Sequence, residues 1–554
     1  MTKARSRCFR VWIVGCLLLS LSLSHAGCLA VRDPETYYGA VVVPNFQEFR
    51  WSDGGLPQTF DPAFAAAPPD TDVVRAIFEG LTEYDPKTLR PIPGVAARWE
   101  SSVDNRTWTF YLRDDAQWSN GEKVTAGDFV RSWKRTLKIG QVAPHTELLN
   151  NIVGAVTEPQ QKKAAGAEQV PAHKEGGLGA EALGDHVLRV HLQHGDANFP
   201  SLVAHSVFRP VKIDEPNATK KIDAAGLISN GPFQISRRDQ YGVMLERASS
   251  YWDGQSVSLQ RVTFVNSGSA EQALAAYRAG QVDAITSAPF EPLALKLLTP
   301  YKDFRRSTFG ALSYYSFNLS RSPFDDVRVR EALALAIDRE RISRDDLGGA
   351  TEPAAKFLPD EMTGEAPVVN KTESFDFDIQ KAKRLLADAG FPNGAGFPTV
   401  RLLVNRNDQQ RLVAQAVAAM WRTTLGIETE VVIRNWDEYE AAVKAGDFDV
   451  VRRGLVMQTT DELTNLRLLF QSEANSSGSS VDLTRQKGSI PVADNMLPVE
   501  SESQALKEAK AIPIYFASSY ALVKPYVSGF DANVLDAPSL KTTRIDTNWI
   551  EHSR

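Results

Sequence analysis

Residues 108–133 have the sequence WTFYLRDDAQWSNGEKVTAGDFVRSW, and this stretch indicates the fold class of the chain. Trp108, Phe110 and Leu112 alternate with Thr109, Tyr111 and Arg113, a period of two that predicts a strand with one buried face. The Trp-Ser-Asn-Gly segment at 118–121 predicts a turn. Residues 125–137 then predict a helix, so a strand, a turn and a helix follow one another within one stretch.

The C-terminal half of the chain repeats this alternation. Apolar residues between 413 and 421 recur at helical spacing, and Gly426 predicts where that helix ends. Residues 427–433 alternate with period two and predict a strand. Residues 438–444 predict another helix, which the apolar residues 448–451 follow. This order of helices and strands predicts α/β lobes.

Four further segments carry weaker predictions. Residues 187–192 predict a strand. Residues 158–184 are rich in Ala, Gly, Glu, Gln and Lys, and residues 472–502 are rich in Ser, Asn and Gly, so both predict surface loops. A short helical segment is predicted over 504–511.

Length and charge limit the classes of protein to consider. A chain of 554 residues is too long for one compact core, so two or three lobes are expected. The net charge is −6, with 62 basic and 68 acidic side chains. Without the four basic residues of 1–27 the balance is 58 against 68, or −10. An acidic chain without a basic footprint is not expected to bind nucleic acid.

The three cysteines, Cys8, Cys16 and Cys28, all lie in the first 28 residues. The body of the protein therefore has no disulfide framework, no thiol nucleophile and no zinc–thiolate site.

The N-terminus predicts export. A basic segment precedes thirteen mostly apolar residues at 11–23, which is short for a membrane span and typical of a signal peptide. We predict a signal peptide over 1–27 and lipidation of Cys28, so that the protein lies in the periplasm or at the cell surface, anchored to the membrane. His25 departs from the aliphatic residue usual before such a cysteine. The alternative is cleavage after Ala26, which gives a soluble secreted protein.

Motifs spread across the chain resemble those of the bacterial extracellular solute-binding proteins of family 5, which serve oligopeptide and dipeptide ABC importers. Their order along the chain makes the resemblance specific, although many of them also have plain local interpretations as turns, helix starts or core. The motifs are FEGL (78–81), PGVA (93–96), WTFYLR (108–113), WSNG (118–121), VTA (124–126), DFV (128–130), NGPF (230–233), YWD (251–253), FN (317–318), PFDDVRVR (323–330), ALAIDR (334–339), AKRLL (382–386), LGI (425–427) and VKP (523–525), with tryptophans at 99, 133 and 421.

The resemblance implies a periplasmic-binding-protein-like fold of type II, a two-lobed trap with three domains and a hinge. It implies a monomeric, non-enzymatic protein without cofactor or metal, which captures peptides between its lobes and delivers them to the permease subunits of an ABC importer. The expected division is domain I over 28–74, 206–309 and 520–554, domain II over 75–205, and domain III over 310–519.

The resemblance also suggests ligand-binding residues. The family usually holds the ligand's amino terminus with an aspartate, and Gln458 occupies that position here. Arg452 matches a basic residue near the ligand, although an ion pair with Asp449 is the competing role. His145 lies where an aromatic residue often lines the site. Tyr314, Tyr315 and Asn405 complete the candidates.

Gln458 departs from the family pattern because a neutral amide lacks the charge that strengthens a bond to an amine. Asp461 or Glu462 can replace it if the loop is shifted. The low-complexity segment 472–502 is a second departure, since the family usually has a long helix there. Both departures leave a non-peptide ligand as an alternative.

Other classes of protein remain to be weighed. An enzyme is disfavoured because the chain has no G-x-S-x-G elbow and no P-loop. A carrier of a metal chelate, nickel or haem would share the fold. The only histidine cluster that this sequence offers for such a ligand is His186, His191 and His194. Residues three apart on a strand point to opposite faces, so His191 and His194 would not converge. A chaperone-like or adhesive surface protein is the third alternative.

Overall fold

The computed structural model describes residues 37–155, 177–213, 226–362, 373–471 and 501–550, together with 221, 224 and 499. The predicted signal peptide 1–27, the lipidation site Cys28 and most of the 472–502 loop lie outside the described residues. Within them, the order of the elements confirms the predicted α/β class.

The strands are listed here in chain order. They are β1 (Glu48–Asp53), β2 (Thr82–Tyr84), β3 (Pro91–Pro93), β4 (Ala96–Ser101), β5 (Thr107–Leu112), β6 (Ala180–Ala182), β7 (Val187–His191), β8 (Phe233–Arg238), β9 (Gly242–Arg247), β10 (Arg261–Val265), β11 (Ala284–Thr286), β12 (Phe304–Phe317), β13 (Thr351–Pro353), β14 (Val400–Asn405), β15 (Thr429–Arg434), β16 (Val450–Val456), β17 (Ala511–Val523), β18 (Val527–Ser528) and β19 (Arg544–Ile545).

The α-helices alternate with these strands. They are α1 (Asp70–Ile77), α2 (Ala126–Ile139), α3 (Phe199–Leu202), α4 (Ala270–Arg278), α5 (Pro292–Leu298), α6 (Val327–Leu335), α7 (Arg339–Arg341), α8 (Ile379–Asp388), α9 (Asp408–Leu425), α10 (Trp436–Lys444), α11 (Glu462–Gln471) and α12 (Glu502–Lys507).

Eleven strands of the described residues form one sheet, in the order β15-β14-β16-β12-β17-β11-β1-β10-β9-β8, with β13 paired to β17. The long strands β12 and β17 are antiparallel and extend through both halves of this sheet. The N-terminal half of β12 pairs with the C-terminal half of β17, from Phe304↔Leu522 to Thr308↔Ser518. Pairing resumes at Leu312↔Phe516, after a register shift. A break in a ladder marks a local bend, so we take residues 308–312 as the centre of the hinge.

A separate four-stranded sheet, β4-β5-β7-β6, lies in the segment predicted as domain II. β5 has the predicted alternation, with Trp108, Phe110 and Leu112 buried. Helix α2 follows the predicted turn and begins with a capping box between Thr125 and Asp128.

Two large hydrophobic cores lie on either side of the hinge in the described part of the chain. The first core joins the four-stranded sheet to the β1 end of the large sheet. The second core surrounds β12, β14, β16 and the first half of β17, together with α6 and α9. Two cores connected by long strands give the chain the two-lobed architecture predicted for it.

Several motifs that carried the resemblance meet at Glu79, which is buried. Its carboxylate accepts hydrogen bonds from the hydroxyl of Tyr251 and, at 2.7 Å, from the indole of Trp252. Its backbone exchanges two bonds with the Asn230 side chain, at 3.1 and 3.0 Å. Burial raises the pKa of Glu79 to about 7. These residues are distant in sequence, so the motifs hold the 75–205 segment against the large sheet.

Two sequence predictions are wrong in part. The predicted helix 504–511 is shorter, since α12 ends at Lys507 and β17 begins at Ala511. Residues 511–516 are buried between neighbouring strands, and this pairing overrides local helical preference. The predicted loop 158–184 contains β6 near its end, because Ala180–Ala182 pairs with β7. The domain boundaries given above stay predictions.

Candidate functional site

Strand β16 and the loop after it bring most of the candidate residues to the hinge. β16 pairs with β12 from Phe317↔Val450 to Ala311↔Val456, so this ladder reaches into the hinge segment 308–312. The chain then reaches Gln458, whose Oε1 lies 3.4 Å from Nε2 of His205 in the segment predicted as domain II. The Tyr84 hydroxyl lies 3.5 Å from Oγ1 of Thr459. Two adjacent loop residues therefore contact the other lobe.

The proton on His205 can be placed from its partners. Nδ1 accepts a hydrogen bond from the backbone N–H of Val207 at 3.2 Å, so the proton of the neutral ring lies on Nε2 and is donated to Gln458. Burial lowers the pKa of His205 well below 6.5, and the neighbouring His145 lowers it further. The His205–Gln458 pair is therefore neutral.

His145 lies next to this pair. Its ring packs edge-on against His205 with 5.2 Å between centroids. Nε2 lies 3.0 Å from the carbonyl oxygen of Ala66, so this nitrogen carries the proton. His145 has a left-handed backbone, with φ 63°, and begins a short 3-10 helix. The structure thus connects His145 to Gln458 through His205, which sequence reasoning missed.

Arg452 is buried, with 7% of its surface exposed, and lies on β16 opposite Tyr315. The ion pair with Asp449 considered from the sequence is not formed. Asp449 instead pairs with Arg321 at 3.1 Å and accepts from the backbone of Arg401 at 2.8 Å. Among the described residues no carboxylate lies within ion-pair distance of Arg452. The Nε of Arg452 is also buried without a hydrogen-bond partner. A buried guanidinium without a counter-ion attracts an anionic group.

The remaining candidates differ in their surroundings. Tyr314 and Tyr315 both lie in the second core, and the Tyr314 hydroxyl reaches the carbonyl oxygen of Leu469 at 3.4 Å. The Tyr315 hydroxyl is buried without a partner, and burial raises its pKa. Asn405 ends β14, and its Oδ1 is likewise buried and unpartnered. All six ligand-binding positions stay predictions.

One edge of β16 is unpaired beyond Val451, beside Arg452. β12 follows β16 along its whole length, but β14 pairs with it only at Val450 and Val451. From Arg453 to Leu455 no strand of the described chain occupies the second edge. An open edge offers backbone N–H and C=O groups to another extended chain.

The three histidines considered above as metal ligands, His186, His191 and His194, do not form a metal site in the described part of the chain. Within the described residues no group of three His, Cys, Asp or Glu side chains is arranged to hold an ion. His191 instead lies with Nδ1 3.2 Å from the Thr107 hydroxyl.

The chain matches the family model "Bacterial extracellular solute-binding proteins, family 5 Middle" over residues 90–477. Periplasmic oligopeptide-binding protein OppA of Salmonella typhimurium is 31% identical over 497 residues, covering 86% of this chain and 89% of that protein. The chain belongs to family 5 of the bacterial extracellular solute-binding proteins. The proteins of this family are substrate-binding proteins and not enzymes.

Two solved structures support the type II fold. The unliganded open form of the murein tripeptide-binding protein MppA has 29% identity and a TM-score of 0.72, covering 91% of this chain and 98% of that one. The complex of Haemophilus influenzae OppA with the peptide RPPGFSPFR has 26% identity and a TM-score of 0.58, covering 91% and 100%. The TM-score is thus higher for the MppA structure than for the OppA complex.

Two curated relatives, OppA of Salmonella typhimurium and MppA of Escherichia coli, are named as periplasmic proteins. None of the helices in the described ranges is long and apolar enough to cross a membrane.

The buried His205 predicts a pH-dependent loss of stability. The unfolded chain takes up a proton near pH 6.5 whereas folded His205 does not, so the free energy of unfolding falls as pH drops below 6.5, by up to about 1.4 kcal/mol per pH unit. His205→Gln removes this slope in urea unfolding measured from pH 7.5 to 5.

The exposed His186 gives the control variant His186→Gln, which keeps the slope of the parent. Titrating carboxyl groups contribute equally to all three proteins and cancel in the differences. Parallel curves for the parent and His205→Gln contradict a neutral, buried His205.

Proposed function

We propose that this chain is the extracytoplasmic substrate-binding component of an ABC importer, which captures peptides between its lobes and delivers them to the membrane permease. The observation that carries the proposal is the open edge of β16 beside the hinge. The names of the relatives support it, since they are oligopeptide-binding and murein peptide-binding proteins.

The open edge favours a ligand with a peptide backbone. Hydrogen bonds from Arg453 to Leu455 reach main-chain groups that all peptides share, so they give affinity without selecting side chains. Tyr439 already donates its hydroxyl to the carbonyl oxygen of Arg452, which limits the free edge to the residues after it. This arrangement suits a carrier of many peptide sequences.

Arg452 supplies the charge that orients the peptide. Its guanidinium lies beside Gly454 of the free edge and forms no ion pair with a carboxylate of the described chain, so a carboxylate of the ligand completes it. A charge-assisted bond of this kind contributes about 1.5–3 kcal/mol.

Gln458 supplies no such charge at the position where the family usually binds an amine. Its Oε1 already accepts from His205, and its Nε2 lies 3.3 Å from the carbonyl oxygen of Val456. Recognition of a ligand amine therefore does not depend on residue 458.

Release and capture follow from rotation at the hinge. A ligand that contacts β16 on one lobe and the Tyr84–His205 region on the other stabilises the closed arrangement, and closure presents the surface for the permease. The protein acts as a monomer in this scheme.

Mass spectrometry of ligand that co-purifies with the protein tests the ligand class. We expect short peptides of mixed sequence. A metal chelate, nickel or haem as the bound species contradicts the peptide proposal and supports the same fold with another cargo.

The role of Arg452 is tested by calorimetry with paired peptides that end in a free carboxylate or an amide. Arg452→Gln weakens binding of the free-carboxylate peptide roughly 10- to 100-fold, because the charge-assisted bond is lost, and leaves the amidated peptide within about twofold. The exposed Arg344 gives the control Arg344→Gln. Equal losses for both peptides would contradict carboxylate recognition by Arg452.

Export and anchoring complete the proposal. Cys28 is the acylated residue that anchors the protein to the membrane in the periplasm or at the cell surface. Labelling with a palmitate analogue is expected in the parent and absent in Cys28→Ser. Label that persists in the variant, or an N-terminus at Gly27 in the mature parent, indicates that the anchor is not at Cys28.

A further inference from the structure

The first residues that the structure describes are fixed against the body of the protein. The backbone N–H of Tyr38 donates to both oxygens of the buried Asp303 carboxylate, at 2.9 and 3.1 Å. Asp303 also accepts from the hydroxyl of Tyr277 at 2.8 Å. Two residues after Tyr38, the backbone N–H of Ala40 donates to the carbonyl oxygen of Arg278 at 2.9 Å. The chain therefore joins the body at a defined place, close to residue 38.

The segment between this place and the proposed lipid anchor is short. Cys28 and Tyr37 are nine residues apart in the sequence. A fully extended chain covers at most about 3.6 Å per residue, so this tether reaches no farther than about 32 Å. A compact body of this size is roughly 60 Å across. The anchor therefore keeps the surface around residue 38 close to the bilayer, and the opposite half of the body cannot reach it.

Helix α5 (Pro292–Leu298) presents an apolar face beside this place. Its last residue, Leu298, is buried in a small core that also contains Tyr277, and Tyr38 packs against the same core. Leu293 and Leu297 lie one turn apart on the other side of the helix and are 69% and 60% exposed. No other part of the described chain covers these two leucines.

Exposed cations lie on and around this face. Lys296 is on α5 between the two leucines. Lys302 follows Tyr301, whose ring centroid lies 5.2 Å from that of Tyr38. The guanidinium of Arg278, at the end of α4, lies 5.8 Å from the centroid of the same Tyr38 ring. Three positive charges therefore lie near the place where the chain joins the body.

Acidic residues of the two helices lie farther away. Glu271 is in the first turn of α4 and Glu291 directly precedes α5, whereas Tyr38 lies at the last turn of each helix. Positive charge is thus concentrated around residue 38, although the chain as a whole has a net charge of −6. Leucines flanked by cations match the boundary between acyl chains and anionic head groups, since lysine keeps its ammonium in the head groups while leucine enters the acyl region.

We propose that this surface docks on the anionic face of the membrane in which Cys28 is anchored. The docking face comprises Arg278, Leu293, Lys296, Leu297 and Lys302. The proposal rests on the lipid anchoring proposed above and adds a second membrane contact to it. A face of this size binds a bilayer weakly by itself, and the short tether makes the contact effective by raising its local concentration.

Docking through α5 has a consequence for the movement of the lobes. The core beneath α5 contains Ile285 of β11 and Leu522 of β17, and Leu522 pairs with Phe304 before the interruption of the β12–β17 ladder. The docking face therefore belongs to one side of the hinge. The bilayer holds that lobe, and the other lobe stays free to rotate over the ligand.

Fluorescence on vesicles tests docking separately from the natural anchor. All described elements lie after residue 36, so the chain from residue 28 onward retains the whole fold. In the tested chain a hexahistidine precedes Cys28→Ser, and a nickel-chelating lipid holds it on the vesicle at the natural tether length. Because the body has no cysteine, Leu297→Cys provides one position for a nitrobenzoxadiazole label, whose apolar ring replaces the leucine.

We expect the label at residue 297 to brighten and shift to shorter wavelength on vesicles that contain phosphatidylglycerol, and to be quenched by spin-labelled acyl chains. The exposed Leu412 on α9 gives the control position Leu412→Cys, whose label stays in water. Replacing phosphatidylglycerol by phosphatidylcholine lowers the ratio of docked to undocked protein roughly 5-fold or more, because the cations lose their anionic partners.

A second variant tests the apolar contact. Leu293→Gln lowers the ratio of docked to undocked protein, measured with the label at 297, roughly 5- to 20-fold because one leucine fewer enters the bilayer. Glutamine is a good helix former, so α5 is retained. The exposed Leu183 gives the matched control Leu183→Gln, which keeps the response of the parent.

Four results would overturn the proposal. They are no response at 297 on anionic vesicles, an equal response at 412, a response that Leu293→Gln leaves unchanged, and an equal response on phosphatidylcholine alone. A response at high protein concentration without vesicles indicates that a second copy of the chain covers this face, and it contradicts docking on a bilayer as well.

Failure of the anchor is distinguishable from failure of docking. If the palmitate analogue does not label the parent, the anchoring proposal fails by itself. The chain held by its hexahistidine still reports on the docking face, and the response at 297 then supports docking or, by its absence, overturns it.

Discussion

The pairing of β12 with β17 is the constraint on which the two lobes depend. These strands cross from one half of the large sheet to the other, and each core packs against one end of them. The ladder is interrupted between Thr308 and Leu312. A continuous sheet resists bending, so the interruption marks the place where the two halves of the sheet can bend relative to each other.

The candidate site is coupled to this hinge through β16. That strand pairs with β12 just beyond the interruption, and the loop that follows it reaches His205 and Tyr84 on the opposite lobe. The proposed ligand-binding edge of β16 therefore lies next to the hinge. A ligand that contacts the open and closed arrangements differently would bias the equilibrium between them.

Sequence patterns correctly predicted those elements in which the buried residues recur at the spacing of a helix or a strand. Helix α9 and its stop at Gly426 are confirmed, and so is the alternation in β5. The motifs also identified the family. The end of the predicted helix 504–511 was wrong because strand pairing of β17, and not local preference, decides the structure there.

The site was harder to predict because its contacts join distant segments. His205 and Gln458 are 253 residues apart, and no local pattern connects them. The alternative pairing of Arg452 with Asp449 failed for a local reason that strand geometry explains. Residues three apart on an extended chain point to opposite faces, so Asp449 faces Arg321 instead.

The neutral residue at 458 is matched to its buried partner. An aspartate facing His205 would either remain charged in a desolvated place or require a proton on His205, and burial and His145 both oppose that protonation. Glutamine accepts the same hydrogen bond without either cost. The departure of Gln458 from the family pattern and the presence of His205 are thus two parts of one neutral contact.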